Sequence, residues 1–172
     1  MNCAIIEATT ITDDGKVILG TGLGNAPTWV RLADKIIIEL NEQLDPRIEG
    51  MHDVYVPLDP PYRREIPLYT PYDRIGTTYL QVDPAKVVGV VKTNMPVGTA
   101  SGFTPANEVT NQIGANVCSF LINEIRHGRI PKEFLPIQSG VGNVANAVLA
   151  GLEASDEIPP FAMYTEVMQD TV

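Results

Sequence analysis

The sequence predicts an α/β protein with a mostly parallel, open sheet and flanking helices, and three observations carry that expectation. Residues 35–40 read Lys-Ile-Ile-Ile-Glu-Leu, a nearly continuous β-branched run of the kind found in parallel strands covered on both faces. Between residues 107 and 127 apolar side chains recur every four positions at Val109, Ile113, Val117, Leu121 and Ile125, as on one long amphipathic helix. Strand-like and helix-like segments then alternate along the chain, which is the order that strand–helix–strand crossovers require.

Taken in order, residues 3–8 and 16–20 read as two short strands around the turn signal Thr12-Asp13-Asp14-Gly15. Residues 20–27 form a glycine-rich loop, and 28–33 a weak helix before the strand at 35–40. From 45 to 72 the chain carries Pro46, Pro57, Pro60, Pro61, Pro67 and Pro71 with little periodicity, an irregular excursion of the length that usually serves function or an interface. Tyr55, Tyr62, Tyr69 and Tyr72 fall inside it, and tyrosine favours contact surfaces. A Val-rich strand is expected at 86–93. In the long helix Cys118 and Ile122 widen the apolar stripe, and Gly128 supplies the stop. An apolar run at 134–137, a glycine loop, a small-residue helix at 144–152 and a final strand at 161–167 complete the pattern. A strand with no helix after it is an exposed edge unless something covers it, so a covering partner segment is expected.

Composition narrows the function classes. Apolar residues make up 44% of the 172 and charged residues 19%, a balance that supports a packed core. Twelve basic against 21 acidic side chains give a net charge of −9, which argues against a nucleic-acid surface. No apolar run approaches the roughly 18–20 residues of a membrane span. Met1 is not followed by a basic segment and a long apolar core, so no secretory signal is expected. Two cysteines, Cys3 and Cys118, do not make a disulfide framework, and a reducing, cytoplasmic setting follows. His52 and His127 lack metal-ligand spacing with each other or with cysteine, so no metal is expected. The bland reading of His52 is a structural hydrogen bond, and that of His127 a favourable charge at a helix end.

Two segments can do chemistry. Gly140-Val141-Gly142-Asn143-Val144 opens a helix, so backbone amides and the helix dipole converge on one concavity able to hold phosphate or an oxyanion. The bland alternative is a tight turn that binds nothing. A sharper one is a dinucleotide site: Gly140-Val141-Gly142-Asn143-Val144-Ala145 fits Gly-x-Gly-x-x-Gly/Ala, and Glu166 lies 21 residues after Ala145, where a ribose-binding acid belongs. Pro136 in the preceding strand counts against it. Glu166, near the end of the 161–167 run, is either a solvated glutamate or a nucleophile whose attack on a thioester is stabilised by amide donors.

The stretch Gln138-Ser139-Gly140-Val141-Gly142-Asn143-Val144-Ala145-Asn146-Ala147-Val148, followed by Met163-Tyr164-Thr165-Glu166-Val167-Met168-Gln169-Asp170, resembles the acetyl-CoA hydrolase/transferase family of class I coenzyme A transferases. Weaker matches run upstream through Ala33-Asp34-Lys35-Ile36-Ile37-Ile38-Glu39, Glu49-Gly50-Met51-His52-Asp53, Asp73-Arg74-Ile75-Gly76-Thr77 and Gly128-Arg129-Ile130-Pro131.

The resemblance implies part of a two-domain coenzyme A transferase fold. Residues 1–104 would be the end of the first domain and 105–172 the start of the second. It implies Glu166 as the nucleophile that forms a glutamyl-CoA thioester, and Gly140, Val141, Gly142, Asn143 and Val144 as the loop lining the coenzyme A site. Coenzyme A would enter as a substrate thioester, acetyl- or succinyl-CoA in type, with a small carboxylic acid as acceptor and no metal. Family members are about three times longer, so the rest of the enzyme or a homodimer mate is the expected partner. A fragment that only assembles with a partner, without catalysis, stands as the non-enzymatic alternative.

Overall fold

The computed structural model describes residues 1–96 and 105–168, so Gln169 and Asp170 of the late motif lie outside the described residues. The chain divides into two compact units, Met1–Gly98 and Thr99–Val172.

The first unit is built on a five-stranded sheet. Its strands are β1 (Cys3–Ile11), β2 (Lys16–Leu19), β3 (Lys35–Asn41), β4 (Leu80–Gln81) and β5 (Val87–Thr93), in the spatial order β4-β2-β1-β3-β5. β1, β3 and β5 run parallel, whereas β2 and β4 pair antiparallel at the other side. The parallel runs are the β-branched ones that the sequence marks, and the hairpin falls at the Thr12–Gly15 turn, where Gly15 donates to the Thr12 carbonyl at 3.0 Å. α1 (Ala26–Leu32), with Pro27 in its first turn, crosses from the hairpin to β3. Its Ala26 and Val30, with Ala33 just beyond, pack on Ala4, Ile6, Ala8, Ile36 and Ile38. The alanines of β1 let the helix approach closely, and Ile36 and Ile38 are fully buried beneath it. The opposite face of β3 is only partly covered: Ile37 is half-buried, where burial on both faces was expected.

The proline-rich excursion is pinned at both ends. Val54 and Thr77 exchange two backbone hydrogen bonds of 2.7 and 3.1 Å, and the Asp53 carboxylate accepts from the amides of Ile75 and Gly76. The Arg74 guanidinium donates to the carbonyls of Gly50 and His52. The two upstream motifs, 49–53 and 73–77, therefore fold onto each other. Between them the rings of Tyr62, Tyr69 and Tyr72 stand largely exposed. The Thr70 hydroxyl, with the amides of Tyr69 and Thr70, holds the Asp73 carboxyl below its usual range.

The second unit pairs α2 (Glu108–Arg126) with α3 (Asn143–Glu153). A capping box starts α2: the Asn107 side chain accepts from Thr110 N at 3.0 Å, and the Thr110 hydroxyl accepts from Asn107 N at 2.9 Å. Gly128, at a φ of 69°, follows its end. Cys118, Phe134, Leu152 and Ile158 form the core, with Leu121, Ile122, Ile125, Ile137 and Phe161 packed around them. Val109, first in the apolar repeat, lies out on the surface, because the helix contributes its buried positions one turn later at Gly114 and Cys118.

Two strand expectations fail in this unit. Residues 134–137 and 161–167 pair only through a single parallel bridge, Ile137 to Met163. Phe134 adopts a φ of 61°, which turns the chain before a ladder can begin, and Pro136 has no N–H to donate. Pro159 and Pro160 remove two more donors on the partner segment.

The α2–α3 crossing depends on a glycine. A Cβ built on Gly114 would lie 2.3 Å from the Ala147 carbonyl oxygen, so the helices approach backbone to backbone there. Gly114→Ala must push them apart and is expected to destabilise the second unit by about 1–3 kcal/mol, read as a lower urea midpoint.

Candidate functional site

The parallel bridge gives the second unit its chemistry-bearing edge. Two segments that run parallel leave their last paired residues at the same end, so residues 138–142 and 164–168 emerge side by side. Ile137 N donates to the Ala162 carbonyl at 3.2 Å and Tyr164 N to the Ile137 carbonyl at 2.9 Å. Beyond the bridge, a side chain takes over from the backbone. The Thr165 hydroxyl donates to the Ser139 carbonyl at 2.7 Å and accepts from Ser139 N at 3.3 Å. The Gln138 side chain also donates to the Ser139 carbonyl, at 2.7 Å, which fills both lone pairs of that buried group.

Gly140, Val141 and Gly142 continue from Ser139 into α3. Gly142 is the N-cap, with φ 147° and ψ 163°, a conformation open essentially to glycine alone. No side chain caps the helix, in contrast to α2. The first intrahelical bond is donated by Asn146 N to the Gly142 carbonyl at 3.0 Å. Helix geometry therefore leaves the amides of Asn143, Val144 and Ala145 without an intrahelical acceptor, and the dipole adds partial positive charge at that point. Gly140 differs from Gly142 in backbone alone: its φ is ordinary, and a Cβ would meet nothing within 4 Å at either position.

Glu166 follows the residue that grips Ser139. Its side chain is exposed and makes no hydrogen bond or ion pair among the described residues. The structure thus brings Thr165 onto the glycine loop by direct contact and leaves the neighbouring carboxylate unengaged. Val141, Val144, Tyr164 and Met168, on the same two segments, are all at least 48% exposed. Sequence reasoning missed Thr165 and Ser139 as the pair that joins the two motifs. Because Thr165 meets Ser139 through its backbone alone, the identity of residue 139 carried no signal of the pairing.

The remaining candidates resolve into structural roles. His52 places Nε2 3.2 Å from the Leu19 carbonyl, tying the excursion to β2. The His127 ring lies 2.8 Å from the Asn123 carbonyl at the end of α2. Among the described residues no group of three or more His, Cys, Asp or Glu side chains is placed to hold a metal ion, and no helix is long and apolar enough to cross a membrane.

The open, mixed sheet with flanking helices is shared with solved coenzyme A transferase folds. 4-Hydroxybutyrate CoA-transferase from Porphyromonas gingivalis superposes with a TM-score of 0.61 at 18% identity, over 99% of this chain and 33% of that one. RipA from Yersinia pestis does so with a TM-score of 0.60 at 17% identity, over 99% and 30%. Residues 1–92 match the acetyl-CoA hydrolase/transferase N-terminal domain, and the chain belongs to that family. It is 48% identical over 172 residues to a propanoyl-CoA:succinate CoA transferase of Escherichia coli, covering all of this chain and 35% of the relative. It is 45% identical to a succinyl-CoA:acetate CoA-transferase of Clostridium kluyveri and 39% identical to an acetyl-CoA hydrolase of Saccharomyces cerevisiae, covering 32% of each. The chain thus spans about a third of the length of the curated relatives it matches.

The two glycines of the loop are separable by experiment. Gly142→Ala forces a side chain into a glycine-only region and should cost about 1–3 kcal/mol in urea unfolding, whereas Gly140→Ala should stay within about 0.5 kcal/mol. Equal losses at both positions would contradict the backbone geometry described.

Proposed function

We infer that this chain carries the reacting centre of a coenzyme A transferase that moves coenzyme A between an acyl-CoA, of acetyl or succinyl type, and a free carboxylic acid. The observation that supports this most directly is the Thr165–Ser139 contact, which holds the segment bearing Glu166 beside the glycine loop at the start of α3. One Glu166 oxygen attacks the thioester carbonyl carbon, and the carbon–sulfur bond breaks to give a mixed anhydride and coenzyme A thiolate. The thiolate then attacks the Glu166 side-chain carbonyl carbon, forming a glutamyl-CoA thioester and releasing the first carboxylate. A second carboxylate reverses both steps, so the thioester energy is conserved without ATP or metal. Amides at Gly140, Val141, Gly142, Asn143 and Val144 are the proposed donors to the oxyanion, and one pre-aimed donor lowers such a barrier by roughly 3–4 kcal/mol.

Two features bear on how much of the enzyme is present. Glu166 is exposed among the described residues, and a carboxylate nucleophile gains from exclusion of water. Relatives with three times the length offer the polypeptide to supply it. In this reading residues 1–104 close a first domain and 105–172 open a second. The division of compact units at Gly98 and the family match ending at residue 92 favour that boundary. The working partners are the rest of the enzyme or a homodimer mate, and two free cysteines, Cys3 exposed and Cys118 buried, fit a reducing, cytoplasmic setting.

The reading is tested by incubating the protein with acetyl-CoA or succinyl-CoA, trapping with borohydride and weighing the peptide that contains Glu166. The expected result is a reduced adduct on that peptide, suppressed on the order of 10³–10⁴-fold in Glu166→Gln, with unfolding unchanged. The assay is run on the chain alone and with the chain grafted into the Escherichia coli relative in place of its matching segment. Absence of an adduct in both settings overturns the proposal. A melting shift with NAD but none with coenzyme A would favour a dinucleotide site instead.

A further inference from the structure

Glu166 lies at a sharp bend of the chain, two residues past Tyr164, whose N–H donates to the Ile137 carbonyl. Among the described residues no backbone hydrogen bond closes that bend. An exposed turn with nothing to hold it samples several conformations, and each aims the carboxylate differently. One side chain supplies what the backbone lacks. The Thr165 hydroxyl lies 3.2 Å from the Val167 carbonyl, so it reaches across the bend to the residue after the glutamate. The same oxygen lies 2.7 Å from the Ser139 carbonyl and 3.3 Å from Ser139 N. A single atom thus touches the far side of Glu166 and the backbone just before the glycine loop.

A hydroxyl has one proton, and here two carbonyls compete for it. The shorter contact favours Ser139, and rotation about the Cβ–Oγ1 bond turns the proton to Val167 with no heavy atom moving. Ser139 tolerates that turn because its carbonyl has a second donor, the Gln138 side chain at 2.7 Å. The buried carbonyl therefore keeps a donor whichever group the hydroxyl serves. The β-methyl has its own part. A β-branched side chain has few choices of χ1, so threonine aims its oxygen where serine would let it turn.

We propose that Thr165 is the positioning residue for Glu166. Its hydroxyl fixes the bend that carries the carboxylate and fastens that bend to the backbone entering the glycine loop. The proposal rests on the reading of Glu166 as the nucleophile. In that reading the carboxylate first attacks the thioester, and its own carbonyl carbon is then attacked by the thiolate. Both steps need this one side chain in a fixed relation to the same amide donors. A displacement of about 1 Å can cost on the order of 10²-fold in rate. Thr165 touches no reacting atom in this scheme and acts through its neighbour.

Simple packing by the threonine methyl is the competing explanation, and two variants separate them. Thr165→Val keeps the shape and removes the oxygen, whereas Thr165→Ser keeps the oxygen and removes the methyl. Two quantities are measured in the graft within the Escherichia coli relative. They are the single-turnover rate of the borohydride-trapped adduct on the Glu166 peptide with acetyl-CoA or succinyl-CoA, and the Kd for coenzyme A. Thr165→Val should slow adduct formation about 10²-fold and change the Kd less than about 3-fold, since Gln138 still holds the loop carbonyl. Thr165→Ser should restore the rate to within about 5-fold of the unsubstituted protein. In this chain, amide order parameters of Glu166 and Val167 should lie near the ~0.85 of rigid backbone and fall towards ~0.6 in Thr165→Val.

An adduct that Thr165→Val forms as fast as the unsubstituted protein overturns the proposal. So does Thr165→Ser as slow as Thr165→Val, which would assign the effect to the methyl. A loss of coenzyme A affinity equal to the loss of rate also overturns it, because Thr165 would then build the binding loop and not aim the glutamate. Should Thr165→Val fail to fold, order parameters below ~0.6 at Glu166 and Val167 in the unsubstituted chain decide against the proposal by themselves. Absence of any adduct in the unsubstituted protein removes the transferase reading and this inference with it. An adduct indifferent to Thr165 removes this inference alone.

Discussion

The candidate site depends on the Thr165 hydroxyl. One parallel bridge aligns the two segments that carry the glycine loop and Glu166, and one bridge alone would let either segment swing. Thr165 extends the alignment by two residues, donating to and accepting from the backbone of Ser139. Because that backbone is buried, loss of the hydroxyl would leave a carbonyl and an amide short of partners, a cost larger than the worth of an exposed hydrogen bond. The loop is thus fixed before Gly140, and Gly142 fixes it again where α3 begins. Two residues, Gly140 and Val141, span the distance between these anchors.

The sheet of the first unit was legible because its determinants are local. Ile36 to Ile38 and the valines of β5 are β-branched runs, the Thr12–Gly15 turn is short, and α1 needs only Pro27 and a few small residues. α2 announced itself by spacing and by Gly128. The strands expected at 134–137 and 161–167 misled because their apolar content serves another purpose. Phe134 and Phe161 pack as a tilted pair with ring centroids 5.1 Å apart, and Ile137 packs into the same helical core. An apolar run of four to seven residues signals burial, and burial against helices looks the same in sequence as burial within a sheet.

The candidate site divides along the same line. Glycine placement reads directly from sequence because Gly142 meets a backbone requirement that no other residue satisfies. What joins the loop to Glu166 does not, since a Thr–Ser contact across 26 residues leaves no periodic trace. The motifs at 49–53 and 73–77 show the same limit. Each is unremarkable alone, and their relation appears only when Asp53 receives two amides from Ile75 and Gly76 and Arg74 reaches back to Gly50 and His52.

Exposure is the feature that both units share. In the first, Ile5 and Val91 are more than half exposed. In the second, Val141, Val144, Tyr164 and Met168 are exposed on the two segments that carry the loop and Glu166, a glutamate that has no partner among the described residues. A stable sheet and a reactive carboxylate both gain from the same act, the exclusion of water. Covering the apolar side chains contributes about 25 cal/mol per Å² buried. That gain is also the source of free energy for desolvating a charged nucleophile, which is unfavourable by itself. The exposed glutamate and its apolar neighbours in sequence therefore meet one requirement: the thioester chemistry proposed for Glu166 gains rate from whatever keeps water from that carboxylate.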